Sequence, residues 1–220
     1  MSKIIRTDAE GNEIVQGSDA WKALRVGMVT GTVISSLTGT PAAYKKAVQA
    51  MVAERLTGKR TSIKATGSMK QGVEREPFAR MWYEERTGRI VEEVAFVQHD
   101  WMKVGVSPDG MILGEKRLVE FKAPEPEAHS EYLLYESYPK TGQYYGQIQS
   151  QLWITEYEVC DFCSFNPDFL HEGLQGHIVT VGRDEEYIAK LELTVAKFLA
   201  EVSVTVKSYE AIGNNRKATP

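Results

Sequence analysis

Cysteine is scarce in this 220-residue chain, which has two, Cys160 and Cys163. Their C-x-x-C spacing is at most half of a zinc or iron–sulfur site, and no second pair exists to complete four ligands. They fall in YEVCDFCSF, which reads as a strand, where positions three apart face opposite sides. The pair is therefore expected as reduced structural thiols. The four histidines, His99, His129, His171 and His177, show no helix or strand pairing suited to a metal and are read as bystanders. No apolar run approaches bilayer length, and MSKIIRTDAEGNEIVQ lacks the apolar core of a signal peptide. These absences point away from a membrane and toward a cytoplasmic protein. Positive charge is not in excess either: 26 Lys and Arg against 30 Asp and Glu give a net charge of −4. A protein that held DNA by general attraction would advertise a basic surface. Any grip on nucleic acid here is either concentrated locally or works by enclosure.

What remains is ordinary for a globular domain, with 42% hydrophobic and 25% charged residues, and the length suits one domain without staples. Ser18 caps a first helix through Trp21, Leu24 and Arg25; TVISSLTG follows; Thr40-Pro41 opens a helix that Gly58 stops. A polar loop, KRTSIKATGSMKQG, precedes a helical pattern from Gly72 to Thr87. Strands are expected at VEEVAFVQH, KVGVSPDGMI and RLVEFKAP, a helix at QYYGQIQSQLWIT, and two strands at EVCDFCSFNPD and GHIVTVGRD. The layout is N-terminal helices over 1–60, a core over 72–190, a helix over 184–207 and a flexible tail over 211–220. It predicts an α/β fold with a central mixed, largely antiparallel sheet flanked by helices.

The triplet Glu120-Phe121-Lys122 stands shortly after Pro108-Asp109, across the polar turn LGEKR. Strand alternation points Glu120 and Lys122 the same way while Phe121 enters the core. Asp109 at the end of the preceding strand and Glu120 on its neighbour can share one hard cation through oxygen ligands. Lys122, one step along that face, can position or help deprotonate a water. A surface hairpin with a Glu–Lys pair would show the same letters. The apolar neighbours Val104, Val106, Met111, Ile112, Leu118 and Val119 favour the metal reading, because converging buried charges need a cation or a partner.

Other residues could complete a site. Glu76, in Gly72-x-x-x-Glu76, is placed near the start of a helix, where a carboxylate suits the dipole or an i+4 pair with Arg80. Gln143, Gln147 and Gln151 recur as a polar stripe suited to phosphate oxygens or a water network. Arg25, with Thr30 and Thr32 beyond it, could clamp a phosphate or form a surface ion pair.

Taken in order, GSDAWKALRVGMVTGT, QGVEREPFARMWYEERTG, SPDG, VEFKAP, GQIQSQLWIT and SFNPDF resemble the phage lambda-type exonuclease (YqaJ-like viral recombinase) family of the PD-(D/E)xK nuclease superfamily, over roughly residues 15–190. The resemblance implies a restriction-endonuclease-like core and a single nuclease domain over 1–220. It implies a processive 5′→3′ exonuclease that uses Mg²⁺ (or Mn²⁺), one or two ions per site, on linear double-stranded DNA. Such an enzyme releases 5′-mononucleotides and leaves 3′ single strands for an annealing protein. By position, Asp109, Glu120 and the Phe121 carbonyl match metal ligands, and Lys122, Glu76 and Gln147 match catalytic residues. Arg25 and Thr32, with Gln147, match the DNA and 5′-phosphate contacts, and Met69 matches a wedge that parts the terminal base pairs. The family's ring-shaped homotrimers would explain how an acidic chain stays on DNA. One departure is that no basic segment follows residue 39, so Lys45, Lys46, Lys59 or Arg60 would have to supply its part of the phosphate grip. Two alternatives remain open: a PD-(D/E)xK endonuclease or junction resolvase, and a non-catalytic DNA-binding or scaffold protein with a vestigial site.

Overall fold

The computed structural model describes residues 2–60 and 67–217, with the side chains of residues 68–70 and 217 outside the described set. In chain order the first elements are β1 (Ser2–Ile5), α1 (Asp19–Leu24), α2 (Gly31–Leu37), α3 (Pro41–Thr57) and α4 (Gly67–Thr87). Five short strands follow: β2 (Val91–Glu92), β3 (Phe96–His99), β4 (Gly105–Val106), β5 (Gly110–Ile112) and β6 (Arg117–Lys122). The chain ends with α5 (Pro126–Tyr132), α6 (Tyr145–Thr155), β7 (Val159–Phe165), β8 (Gly176–Gly182) and α7 (Glu185–Lys217). Two compact units result. One comprises Met1–Ser62, Ala95–Val106 and Asp184–Pro220, and the other Ile63–Val94 and Ser107–Arg183.

The first unit pairs a three-stranded antiparallel sheet, in the order β1-β3-β4, with α1, α2, α3 and α7. Its caps are those the sequence calls for: the Ser18 hydroxyl accepts from the Trp21 N–H, the Thr40 hydroxyl from the Ala43 N–H, and Gly58 closes α3 at φ 65°. Leu191, Val195, Phe198 and Val202 form one buried stripe of α7, where the Phe198 ring meets Tyr44 edge-on. Val29 bridges Val104, its N–H donating to the Lys103 carbonyl and its carbonyl accepting from Gly105, which ties the segment ahead of α2 to this sheet.

In the second unit the sheet is mixed, in the order β2-β5-β6-β7-β8. Only β6 and β7 run parallel, and α5 and α6 lie between them in sequence. Tyr83 of α4 packs edge-on against Phe121, within a core of Val91, Ile112, Val119, Cys163 and Phe165. Gly110 is required where β2, β5 and β6 meet, since a Cβ there would lie 2.2 Å from Val91 Cγ1.

Several elements differ from expectation. VEEVAFVQH and KVGVSPDGMI each divide into two short strands that serve different sheets, because β3 and β4 join the first unit while β2 and β5 join the second. SKII, expected in a helical third, is the edge strand β1. Gly72 does not open its helix, because α4 begins at Gly67. The last helix continues to Lys217 through residues expected as a flexible tail. The glutamine stripe is only partly helical, since Gln147 is half-buried and Gln151 buried on α6 while Gln143 lies exposed ahead of that helix. Both cysteines are free and buried, as their strand position predicts.

Candidate active site

β5 and β6 pair with Gly110 opposite Val119, and continuing that register by one brings Asp109 opposite Glu120. β5 itself begins only at Gly110, so Asp109 takes over the pairing with its side chain: Oδ2 accepts the Phe121 N–H at 2.8 Å. A strand residue turns its N–H and C=O toward the same edge, so the Phe121 carbonyl faces the side where Asp109 sits.

Glu120 is fully buried, at 0% exposure, yet every hydrogen bond to it comes from a donor. Its Oε1 accepts the Lys122 ammonium in a close ion pair and the Gln147 amide at 2.6 Å, while Oε2 accepts the Gln151 amide at 2.6 Å. Gln147 and Gln151 are one turn apart on α6, so both amides reach the same carboxylate. Lys122 Nζ also lies 4.8 Å from the centre of the Tyr144 ring.

These charges shape one another. Burial opposes the Lys122 charge, but Glu120 and Asp109 outweigh it and hold the ammonium above its ordinary value. The Asp109 carboxyl is pushed well up, first by burial and then by the Glu120 charge, with Glu76 adding to the push and Lys122 opposing it. Glu76 is pushed up by burial, while Arg80 and Lys122 oppose the shift. Glu76 thus stands within electrostatic reach of the cluster, although its carboxylate pairs with Arg80 at 3.5 Å.

A hard divalent cation fits this donor set. Two carboxylates and a main-chain carbonyl are oxygen ligands of the kind Mg²⁺ and Mn²⁺ take. The raised Asp109 carboxyl marks surplus negative charge that such a cation would offset. Gln151 Oε1, buried beside Glu120 without a partner, is a further acceptor at the site's edge. Among the described residues no three acidic, histidine or cysteine side chains form a complete cage, so waters or the main chain would supply the remaining ligands.

Arg25 and Thr32 both belong to the first unit. The Arg25 guanidinium lies over the Trp21 ring, 3.9 Å from its centre, and Thr32 Oγ1 lies 3.3 Å from Thr30 Oγ1. Met69 has its side chain outside the described residues. The clustering of Asp109, Glu120 and Lys122 follows from strand alternation, whereas Gln151 appeared only as part of a polar stripe and Tyr144 had no signal beyond an aromatic-rich segment.

The YqaJ-like viral recombinase domain model matches residues 20–158. An alkaline exonuclease of Laribacter hongkongensis, LHK-Exo, is 31% identical and superposes with a TM-score of 0.82, covering 90% of this chain and 99% of that one. The same exonuclease has been solved in complex with dAMP. A phage-related exonuclease of Haemophilus somnus 129PT shares the fold at 14% identity, with a TM-score of 0.64 over 83% of this chain and 96% of that one. ExoD of Escherichia coli K12 is 30% identical over 59 residues, and the match spans 27% of this chain and 66% of that relative's length. With a restriction-type mixed sheet, a two-carboxylate and lysine cluster on its central strands, and these likenesses, the chain belongs to the YqaJ-like viral recombinase family.

Proposed function

We propose that this chain is a single-domain, divalent-metal-dependent deoxyribonuclease that degrades linear duplex DNA from 5′ ends, releasing 5′-mononucleotides. The observation that carries the reading is the buried Glu120 carboxylate, opposite Asp109 and clasped by Lys122, Gln147 and Gln151. The likeness to an alkaline exonuclease, also solved with dAMP, supports cleavage at DNA ends to mononucleotides.

Asp109, Glu120 and the Phe121 carbonyl would hold Mg²⁺, or Mn²⁺ in its place. When bound, the cation lowers the proton affinity of a water and offsets charge on the scissile phosphate. Lys122 enters as an ammonium, since Glu120 and Asp109 favour its charged form. One of its N–H groups is committed to Glu120, and the others are available to orient a water and stabilise charge on a phosphate oxygen. Gln147 fixes the face that Glu120 presents and, with the raised Glu76 carboxyl, completes the catalytic group. Arg25 and Thr32 take the terminal 5′-phosphate. Met69 as the wedge rests on the family resemblance.

The remaining strand serves an annealing partner, and a homotrimeric ring would keep an acidic chain on its substrate. Linear duplexes labelled at either end, with and without 5′-phosphate, test this in Mg²⁺. Loss of the 5′-terminal nucleotide first, and none from closed circles, is expected; cutting of closed circular DNA would mark an endonuclease instead.

A further inference from the structure

Arg60, just past the Gly58 turn, reaches back to the segment that carries Arg25. Its Nη1 donates to the Arg25 carbonyl at 3.2 Å and its Nη2 to Thr30 Oγ1 at 3.1 Å. Its Nε lies 3.8 Å from Glu54 Oε1, and Glu54 Oε2 accepts the Gly27 N–H at 3.1 Å. Thr30 is 1% exposed, and its hydroxyl meets that of Thr32.

The charges here do not balance. Among the described residues, two guanidiniums share one carboxylate, Glu54. The Arg25 guanidinium is held down to about 10, first by burial and then by the Arg60 charge, with Glu54 opposing. Arg25 Nε is buried without a partner. A cation pair with one counter-charge and an unmet N–H lacks an anion. Planar forks beside two hydroxyls suit a tetrahedral oxyanion, a phosphate monoester.

We infer that Arg60 is a second phosphate-binding residue, taking the terminal phosphate of a DNA strand jointly with Arg25, Thr30 and Thr32. Glu54 is then the resident counter-ion that holds the Arg60 fork in place before the phosphate arrives. This rests on the assignment of Arg25 and Thr32 to the 5′-phosphate, and it supplies a cation for the basic segment missing after residue 39.

The test compares binding of one duplex sequence carrying 5′-phosphate or 5′-hydroxyl ends, by fluorescence anisotropy in EDTA, so that cleavage does not enter. The readout is the ratio of the two affinities, because a general loss of folded protein weakens binding of both duplexes alike. Wild type is expected to prefer the phosphate, and R60Q to lose about tenfold of that preference, the worth of one charge-assisted hydrogen bond. R60K keeps the charge without the fork and is expected to lose about threefold, which decides the matter should R60Q fail to fold. A wild type without preference refutes the underlying Arg25 and Thr32 assignment. A wild-type preference that R60Q, or failing that R60K, leaves undiminished refutes the role of Arg60 alone.

Discussion

Gln151→Leu separates holding the site from holding the fold. The wild-type amide donates to Glu120 Oε2 at 2.6 Å, and its own oxygen is buried without a partner. Removing a hydrogen bond to a charged group costs about 1.5–3 kcal/mol, and removing a buried unmet oxygen returns about 1–3 kcal/mol. Leucine is close in volume and adds apolar burial of about 1 kcal/mol in a residue only 1% exposed. The contributions nearly cancel, so stability is expected within about 1 kcal/mol of wild type in metal-free denaturation. Function is not expected to cancel. With Oε2 released, Glu120 is held only by Lys122 and Gln147 at Oε1. Loss of a partner behind a metal ligand costs about 10–100-fold in metal affinity or activity. Calorimetric Mg²⁺ titration and digestion of end-labelled duplex measure the two effects. Unchanged affinity and rate would show that this bond does not position Glu120, and a loss above about 3 kcal/mol would show that the Gln151 oxygen is satisfied.

Asp109→Asn is expected to stabilise the metal-free protein at neutral pH while abolishing Mg²⁺ binding. Because the folded-state carboxyl is raised above its ordinary 3.8, the folded protein holds the extra proton, and stability falls as pH climbs from that value through the raised one. Melting curves in EDTA across this range should show the fall in wild type and a shallower one in the variant. Lys122→Met should bring cleavage to background with duplex binding retained, read by gel assay and anisotropy; cleavage at a tenth of the wild-type rate or more would refute the ammonium's role. Gly110→Ala drives a Cβ against Val91 and Val119 and should cost about 1–3 kcal/mol in chemical denaturation, with activity falling as Asp109 shifts.

The legible parts of the fold were those governed by neighbours in the chain. Ser18, Thr40-Pro41 and Gly58 act within a turn of the helices they bound, and β6, α6, β7 and β8 lie where periodicity put them. The strand runs around residues 91–112 mislead in one respect, because a run of strand-forming residues does not reveal that the chain changes sheets within it. Gly72 marks no boundary, since α4 begins at Gly67 and carries Pro77 in its interior. Asp109, Glu120 and Lys122 were readable together because a two-residue period and a short turn bring them to one face. Gln151 was visible as one of three spaced glutamines, but its target on another element was not. Arg60, Thr30 and Glu54 meet across gaps that no local pattern spans.

The bond from the Phe121 N–H to Asp109 asks only for an oxygen at that position, and asparagine has one. An aspartate codon becomes an asparagine codon by a single base change. One such event would leave the end of β6 capped and the sheet intact, with one of the two carboxylates of the cluster gone. On the function proposed above, such a copy would bind DNA without cleaving it, so silencing by one mutation yields a competitor of the active enzyme rather than a void.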